Sequence, residues 1–271
     1  MLSTIIALFA GLISGVLLYV TKTASTPTTV FLAVLTTVVV QVIISLTIRK
    51  KTRRINDEIQ NIMLEGQNKI NRQMQNFQRK PQSGVKAMQT LMEKEQAKFI
   101  RKAIEVLAKY QPFYKWNFLL KKQISTMKMM FYFQLRDFKK ADELMKDSLF
   151  VDSRALAFKL VRMYKNGEDY ETVLKKKLKK FKATNAVILY AFYSWVLVKE
   201  KRIDDAISIL IEAFQRTGED VFSVNHQMLV NGKEKKFSNA KLGDVWYALY
   251  LEEPQMAKQG KMRQKMNKRG F

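Results

Sequence analysis

Two long apolar stretches without a single charge constrain this chain more than any other feature. The first covers residues 2–20, and the second covers residues 28–48 and has Gln41 as its strongest polar group. About 20 residues of helix cross the hydrocarbon core of a bilayer, and in lipid a helix satisfies every backbone hydrogen-bonding group within one segment. The short polar connector between the runs contains Pro27, which favours a turn. The sequence therefore predicts a transmembrane helical hairpin over residues 1–50.

The basic residues around this hairpin predict its orientation. Five of them follow the second run directly: Arg49, Lys50, Lys51, Arg53 and Arg54. The connector between the runs holds only Lys22. By the positive-inside rule, we expect an integral membrane protein with two transmembrane helices and with both termini in the cytoplasm. A cleaved signal peptide over residues 1–24 is the alternative, but it would need a basic segment before the apolar run and a shorter run.

Composition narrows the chemistry available to the rest of the chain. The 271 residues contain 48 Lys and Arg against 24 Asp and Glu, a formal net charge of +24, and no cysteine. Such a surplus attracts anionic lipid or nucleic acid. Without cysteine no disulfide, thiolate nucleophile or Cys-ligated metal site can form, and a single histidine excludes sites with several histidine ligands.

No motif in the sequence points to catalysis. Both the glycine-rich phosphate-binding motifs and the G-x-S-x-G motif are absent. A Ser-His-Asp triad built on His226 therefore lacks supporting context, and we interpret His226 as a turn or packing residue. Asp204-Asp205 and Glu252-Glu253 are interpreted as solvated charge near helix ends, because adjacent helical residues point in different directions. We predict a protein that is not an enzyme and that uses no cofactor and no metal.

Residues 51–80 form a predicted juxtamembrane helix. Apolar residues recur there in two sets at steps of three and four: Ile55, Ile59, Ile62, Ile70, Met74 and Phe77. This is a weak coiled-coil seam, which could dimerise, lie along a partner, or rest on the membrane surface as an amphipathic helix. Residues 80–84, with Pro81 and Gly84, break the pattern and predict a linker.

Beyond the linker the apolar spacing is helical, and the scarcity of proline and glycine predicts an all-α domain. A phrase recurs at residues 136–141, 168–173 and 201–206, each time a polar turn, then an aromatic or apolar residue, then a small or β-branched one. The phrases end 32 and 33 residues apart, and a period near 34 is typical of stacked helix–turn–helix units. A fourth, imperfect pair over residues 219–251 ends in a helix that we predict over residues 239–251.

These repeats, over residues 115–216, resemble the tetratricopeptide repeat family. The matching pairs are Phe138 with Ala141, Tyr170 with Val173, and Ile203 with Ala206. The chain departs from the family where Ser148 and Lys180 replace its second-helix alanine, and where its consensus proline is missing. The resemblance implies a TPR-like α-solenoid over residues 85–254, following the hairpin and the juxtamembrane helix in an all-α fold.

The resemblance also implies a partner groove along the first helix of each unit. Its residues in this chain are Phe133, Gln134, Phe158, Arg162, Lys165, Asn166, Trp195, Val198 and Lys199. Arg162, Lys165 and Lys199 would favour an acidic ligand. The alternative is that Phe158 and Trp195 are ordinary core residues, which is the commoner place for aromatic side chains at helical spacing.

A lysine-rich stretch forms a second candidate surface. Its members are Lys175, Lys176, Lys177, Lys179, Lys180 and Lys182. Because Leu174, Leu178 and Phe181 fall at i, i+4 and i+7, the helix is expected to bury one stripe and expose the lysines. Such a face is either simply solvated or a patch for an anionic lipid surface, where each Lys or Arg contributes about 1 kcal/mol. The basic tail, residues 255–271, is predicted to be disordered when unbound and could bind lipid, RNA or an acidic protein.

These features together predict a membrane-anchored scaffold or an accessory subunit of a membrane complex. Its partners would be proteins, including other membrane subunits, and an anionic lipid surface. The alternative function is a membrane-tethered protein that binds nucleic acid or the ribosome through its positive charge, with affinity that falls steeply as salt rises.

Overall fold

Helices make up all the regular structure in the part of the chain that the computed structural model describes, residues 2–23, 25–79 and 85–254. The predicted all-α class is therefore confirmed. The chain divides into two compact units, Met1–Leu149 and Phe150–Phe271, so the division falls inside the predicted 85–254 array. The predicted linker at 80–84 and the predicted tail at 255–271 lie outside the described residues.

In the first unit, helix α1 (Leu2–Val20) packs along the beginning of helix α2 (Thr26–Arg79). The contact is close because the facing residues are small. A Cβ atom on Gly11 would lie 2.8 Å from the carbonyl oxygen of Ala33, and the hydroxyls of Ser14 and Thr36 are 3.3 Å apart. Small residues of this kind allow membrane helices to approach and to hydrogen-bond. The small residues of α1 are therefore used within the hairpin.

Helix α2 is one continuous helix of 54 residues, although the sequence suggested separate segments before and after residue 50. Its first part is apolar and its second part is polar, and the change in polarity does not interrupt the backbone. No proline lies within residues 28–79, and Gly66 is the only glycine there. Because charged residues and glutamines are good helix formers, nothing in this stretch ends the helix.

The polar part of α2 packs against α3 (Val85–Leu107), a 3-10 helix (Ala108–Phe113) and α4 (Phe118–Gln134). Helix α5 (Phe138–Met145) is the last helix of the first unit. Ile55 and Ile59 are buried in a cluster with Ala103, Leu107 and Ile124. The apolar seam that we predicted for residues 51–80 is thus largely covered by the chain itself.

Two further contacts join α2 to α3. Gly66 lies so close to Phe99 that an added Cβ would stand 2.7 Å from the ring. The carboxylate of Glu95, buried on α3, forms ion pairs with Lys69 of α2 at 2.7 Å and with Lys98 at 2.6 Å. These two cations hold the pKa of Glu95 at about 2. The charged half of α2 is therefore fixed by both packing and charge.

The second unit contains six α-helices and two 3-10 helices among its described residues. They are α6 (Ser153–Lys165), α7 (Tyr170–Leu178), α8 (Ala183–Lys199), α9 (Ile203–Thr217), α10 (Asp220–Val230), the 3-10 helices Glu234–Lys236 and Ala240–Leu242, and α11 (Asp244–Tyr247). Helix α8 is the centre of this unit, because residues 188–197 are all buried and α6, α7, α9 and α11 pack on it.

The prediction of one helix over residues 239–251 is wrong, because this stretch forms only two short helical turns. Gly243 separates them with a φ of +62°, a conformation that other residues rarely adopt. Asn239 is fully buried, donates to the Ala191 carbonyl at 2.9 Å and accepts from Asn225 at 2.9 Å. A buried amide that needs these partners holds the chain against α8 and α10 in place of a regular helix.

The recurring phrases coincide with three helix ends of the same geometry. Arg136, Gly167 and Lys201 each adopt a positive φ, of 58°, 72° and 60°. The residue that follows each one donates its N–H to a carbonyl five residues back: Asp137 to Tyr132, Glu168 to Met163, and Arg202 to Leu197. This bond satisfies the last carbonyls of a helix. The phrases therefore encode the turns between α4 and α5, α6 and α7, and α8 and α9, while tetratricopeptide geometry stays a prediction.

Candidate functional site

The side chains that could bind a metal are scattered. Across residues 2–23, 25–79 and 85–254, no group of three or more His, Cys, Asp or Glu side chains lies close enough together to hold a metal ion. His226, the only histidine, is half-buried on α10. The candidate functional features are instead three positively charged surfaces: basic residues in the middle of α2, the C-terminal ends of α6 and α8, and the lysine-rich stretch at the end of α7.

The basic collar is the first surface, and it consists of Arg49, Lys50, Lys51, Arg53 and Arg54 on α2. All five side chains are exposed, and they follow the last apolar turn of the helix without a break. Most of the exposed large hydrophobic side chains in the described residues lie before this collar, between Ile5 and Leu46. The sequence predicted both features, and the structure joins them in one continuous helix.

The predicted groove residues are divided between the two units. In the first unit, Phe133 is fully buried and stacks edge-to-face on Phe138 with ring centroids 5.4 Å apart, while Gln134 is half-buried. In the second unit, Phe158 is fully buried on α6 and Trp195 is 5% exposed on α8. The three aromatic rings thus belong to the interior, as the alternative interpretation of Phe158 and Trp195 expected.

The other members of the predicted groove in the second unit lie at the C-terminal ends of α6 and α8. These ends are neighbours, because Tyr164 of α6 contacts Trp195 of α8 edge-to-face at 6.0 Å. The members are Arg162, Lys165, Asn166, Val198 and Lys199. Lys165, Asn166 and Lys199 are exposed, and Arg162 and Val198 are half-buried. The accessible part of the predicted groove is thus a polar, basic surface, which we call the α6/α8 end.

Arg162 and Lys199 are held in defined positions at the α6/α8 end. The Arg162 guanidinium donates to the Asn166 side chain at 3.3 Å, and Asn166 donates in turn to Glu168 at 3.2 Å. The Lys199 ammonium stands 5.3 Å from the centre of the Trp195 ring, over its face. A cation over an aromatic ring gains about 0.5–1 kcal/mol at an exposed site. The positive charges are therefore partly ordered before any partner binds.

Glu252 joins the two tryptophans beneath this surface. Its carboxylate accepts the indole N–H of Trp195 at 2.7 Å and the indole N–H of Trp246 at 2.8 Å. The two rings contact each other edge-to-face at 6.2 Å, and Trp246 is fully buried. The prediction that Glu252 is a solvated charge is wrong, because it is half-buried and each of its carboxylate oxygens accepts an indole N–H. Buried indole N–H groups need such an acceptor. Its neighbour Glu253 is exposed, as expected.

A second carboxylate, Glu171 on α7, ties three helices of the second unit together. It accepts from Arg202 at 2.9 Å, from Lys175 at 2.7 Å and from the Tyr193 hydroxyl at 2.7 Å. The Arg202 guanidinium and the Lys175 ammonium hold the pKa of Glu171 at about 2, and burial together with Glu171 raises the pKa of Tyr193 to about 12. A carboxylate held ionised by these partners is suited to linking α7, α8 and the start of α9, not to moving a proton near neutral pH.

The lysine-rich stretch surrounds the end of α7, which stops at Leu178. Leu174 and Leu178 of α7 are buried, as the predicted stripe required. Phe181 was predicted on the same helix, but it lies beyond the end of α7 and is half-buried. The lysines themselves are exposed except for one half-buried member: Lys175, Lys176, Lys177, Lys179, Lys180 and Lys182, of which Lys177 is the half-buried one. Lysines in the last turn of a helix also stabilise it, because they face the negative end of its dipole.

The residues that sequence reasoning missed are acceptors for distant donors. Glu252 is 57 residues from Trp195, and Glu171 is 31 residues from Arg202. The one available signal was the polar end of each buried aromatic side chain, which predicts a partner without identifying it.

Comparison with protein-family models, with curated proteins and with solved structures finds no match to this chain.

Proposed function

We propose that this protein is a non-catalytic, membrane-anchored interaction protein, a scaffold or an accessory subunit of a membrane complex. In this proposal α1 and the first part of α2 cross the bilayer as a hairpin, with both termini in the cytoplasm. The helical units that follow collect protein partners at the membrane face. The single observation that carries the proposal is the continuity of α2, whose apolar part is exposed and whose polar part is packed.

The exposed surface of the hairpin supports its place in lipid. Helices α1 and α2 are both long and apolar enough to cross a membrane. Phe9, Leu12 and Phe31, for example, are 61%, 65% and 65% exposed. Burying one such side chain is worth about 1.5–3 kcal/mol, and soluble monomers rarely expose an apolar patch larger than a few hundred Å². Lipid is the environment that removes this whole surface from water.

The charges support the proposed orientation. The basic collar follows the apolar part of α2, and only Lys22 lies in the connector at the other end. Basic residues are retained on the cytoplasmic side, where the anionic leaflet also attracts them. Because α2 continues beyond the collar into the packed core of the first unit, the stalk that leaves the membrane is rigid.

The α6/α8 end is the surface we propose for an acidic protein partner. It presents Lys165 and Lys199 in the open and Arg162 at its edge. The tetratricopeptide resemblance puts the groove on these helices, and the fixed cation over Trp195 adds a site with defined geometry. The lysine-rich stretch and the collar would meanwhile attract the anionic lipid surface.

The test of this proposal is co-purification of the full chain in mild detergent, followed by identification of the proteins that remain bound in stoichiometric amounts. We expect the triple variant Arg162→Ala, Lys165→Ala, Lys199→Ala to lose these partners. A matched control removes three positive charges elsewhere, with Lys176→Ala, Lys179→Ala and Lys180→Ala. Equal loss in both variants would show that only net charge matters, and unchanged capture in the first would exclude the α6/α8 end.

The alternative function, binding of nucleic acid or the ribosome, is favoured by one observation, the formal net charge of +24. It makes opposite predictions in the same purification. Nuclease treatment would release the bound material, and the logarithm of affinity would fall linearly with the logarithm of the salt concentration, at a slope set by the number of phosphates contacted. Partners that survive nuclease and moderate salt support the protein scaffold.

A further inference from the structure

We propose that residues 113–117 form a third membrane contact, with Trp116 at the boundary between headgroups and hydrocarbon and Lys115 among anionic headgroups. The inference rests on the proposed membrane anchoring and adds to it a contact outside the two apolar helices. Phe113 is the last residue of the 3-10 helix Ala108–Phe113, and residues 114–117 connect that helix to α4. Their sequence, Phe-Tyr-Lys-Trp-Asn, combines aromatic rings with one cation.

Two hydrogen bonds fix this segment against the beginning of α1. The Leu2 backbone N–H donates to the Lys115 carbonyl at 3.1 Å, and the Ser3 hydroxyl donates to the Trp116 carbonyl at 3.3 Å. The N-terminal N–H groups of a helix have no partner within the helix, so these bonds satisfy groups that hydrocarbon could not. The side chain of Ser3 is accordingly buried.

The packing of α1 on α2 gives the depth of this contact. The two helices run in opposite directions, and Ser14 lies beside Thr36. Ser3 precedes Ser14 by eleven residues, which puts it level with about residue 47 of α2, since both helices rise about 1.5 Å per residue. That is the last apolar turn before the basic collar begins at Arg49. Residues 113–117 are therefore at the level where the hydrocarbon ends.

The segment is also fixed on the side of the helical core. Phe113 and Tyr114 pack against the buried cluster that contains Ile55, and burial raises the pKa of the Tyr114 hydroxyl. The Asn117 side chain accepts the Leu119 backbone N–H at 3.0 Å and so begins α4. The backbone is held at both ends, which leaves Lys115 and Trp116 of the segment, together with Leu119 beside it on the first turn of α4, as the candidates to face lipid.

The chemistry of these three side chains suits the membrane interface. Lys115 is exposed, Trp116 is half-buried, and Leu119 is 48% exposed on the first turn of α4. Tryptophan is enriched at the level of the headgroups because one end of its ring is apolar and the other donates a hydrogen bond. Lysine places its alkyl stem along apolar surface and its charge in the headgroups. A contact beside the hairpin would restrict rotation of the first unit about the axis of α2.

The test uses the full chain reconstituted in vesicles of phosphatidylcholine and phosphatidylglycerol in which the acyl chains are brominated near the headgroup. Bromine quenches indole fluorescence only at short range. Trp195 and Trp246 are buried in the second unit, so they supply an unquenched background. We expect a quenched component in the wild-type protein that disappears in Trp116→Phe. Equal quenching in both proteins, or none in protein that resists alkaline extraction, would overturn the inference and leave the membrane anchoring intact.

A second measurement does not depend on the Trp116 variant folding. The chain has no cysteine, so Leu119→Cys gives a single attachment site for an environment-sensitive dye. Lys139→Cys, an exposed position on α5 beyond the far end of α4, is the matched control. We expect blue-shifted emission and bromolipid quenching at position 119 only. Water-like emission at both positions would overturn the inference, and failure of the chain to enter vesicles would overturn it together with the proposed anchoring.

Discussion

Replacing Glu252 by glutamine gives the sharpest test of how the second unit is held together. The carboxylate accepts two indole N–H groups, at 2.7 Å and 2.8 Å, from tryptophans that are 5% (Trp195) and 0% (Trp246) exposed. Glutamine keeps one acceptor oxygen and turns an NH2 group toward the other indole. One buried N–H then loses its partner in Glu252→Gln.

The expected loss follows from general hydrogen-bond energies. A bond to a charged group contributes about 1.5–3 kcal/mol, a neutral one about 0.5–1.5 kcal/mol, and a buried donor without a partner costs about 1–3 kcal/mol. We therefore expect Glu252→Gln to lower the free energy of unfolding of the second unit by about 2–4 kcal/mol. For a unit of this size, that lowers its melting temperature by on the order of 10 °C.

The assay is thermal unfolding of the full chain in mild detergent, followed by tryptophan fluorescence. Glu253→Gln is the matched control, because it removes the same charge from an exposed neighbour and should change stability by less than about 0.5 kcal/mol. Equal melting temperatures for the two variants would refute the reasoning that Glu252 is a structural acceptor.

Three further predictions concern the helix contacts and the charge network. Gly66→Ala should lower stability by about 1–3 kcal/mol in denaturant titration, because the new methyl group meets the Phe99 ring; an unchanged midpoint would contradict this packing. Gly11→Ile should separate the hairpin, because its Cβ would approach the Ala33 carbonyl, and a melting temperature equal to wild type would contradict it. The pKa of Glu171 is about 2, below its usual 4.5, so its stabilising effect is complete above pH 4.5 and is lost as pH falls toward 2. In Glu171→Gln, the melting temperature should depend less on pH in that range than it does in the wild-type protein. A pH dependence unchanged from wild type would show that Glu171 is not the group responsible.

Features that are local in sequence were predictable. Residues 2–20 were predicted as a helix from the length of an apolar run, and α1 has the same bounds. The recurring phrases marked the turns correctly, because a turn is encoded by a few neighbouring residues such as Asp137 and Asp169, which cap α5 and α7. The residues within one or two helical turns decide where one helix ends and the next begins.

Features that depend on distant partners could not be predicted in the same way. The seam at Ile55 and Ile59 was recognised, but its partner could equally have been a second chain or a lipid surface, and only tertiary packing selects α3 and α4. The role of Glu252 depends on two indoles whose position is set by the whole unit. Only some of the predicted groove residues are accessible, because packing in three dimensions decides which side chains are buried. Phe158, for example, is fully buried by its neighbours in space.

The most direct test of the central claim is cysteine accessibility in intact cells that express the chain. Because the sequence has no cysteine, Thr23→Cys in the connector and Ser208→Cys, exposed on α9, each give one reactive thiol. A membrane-impermeant maleimide should label position 23 from outside, and should label position 208 only after the cells are opened. Labelling of position 208 in intact cells, or release of the protein from membranes by alkaline carbonate, would contradict a two-helix anchor that holds the basic helical units in the cytoplasm.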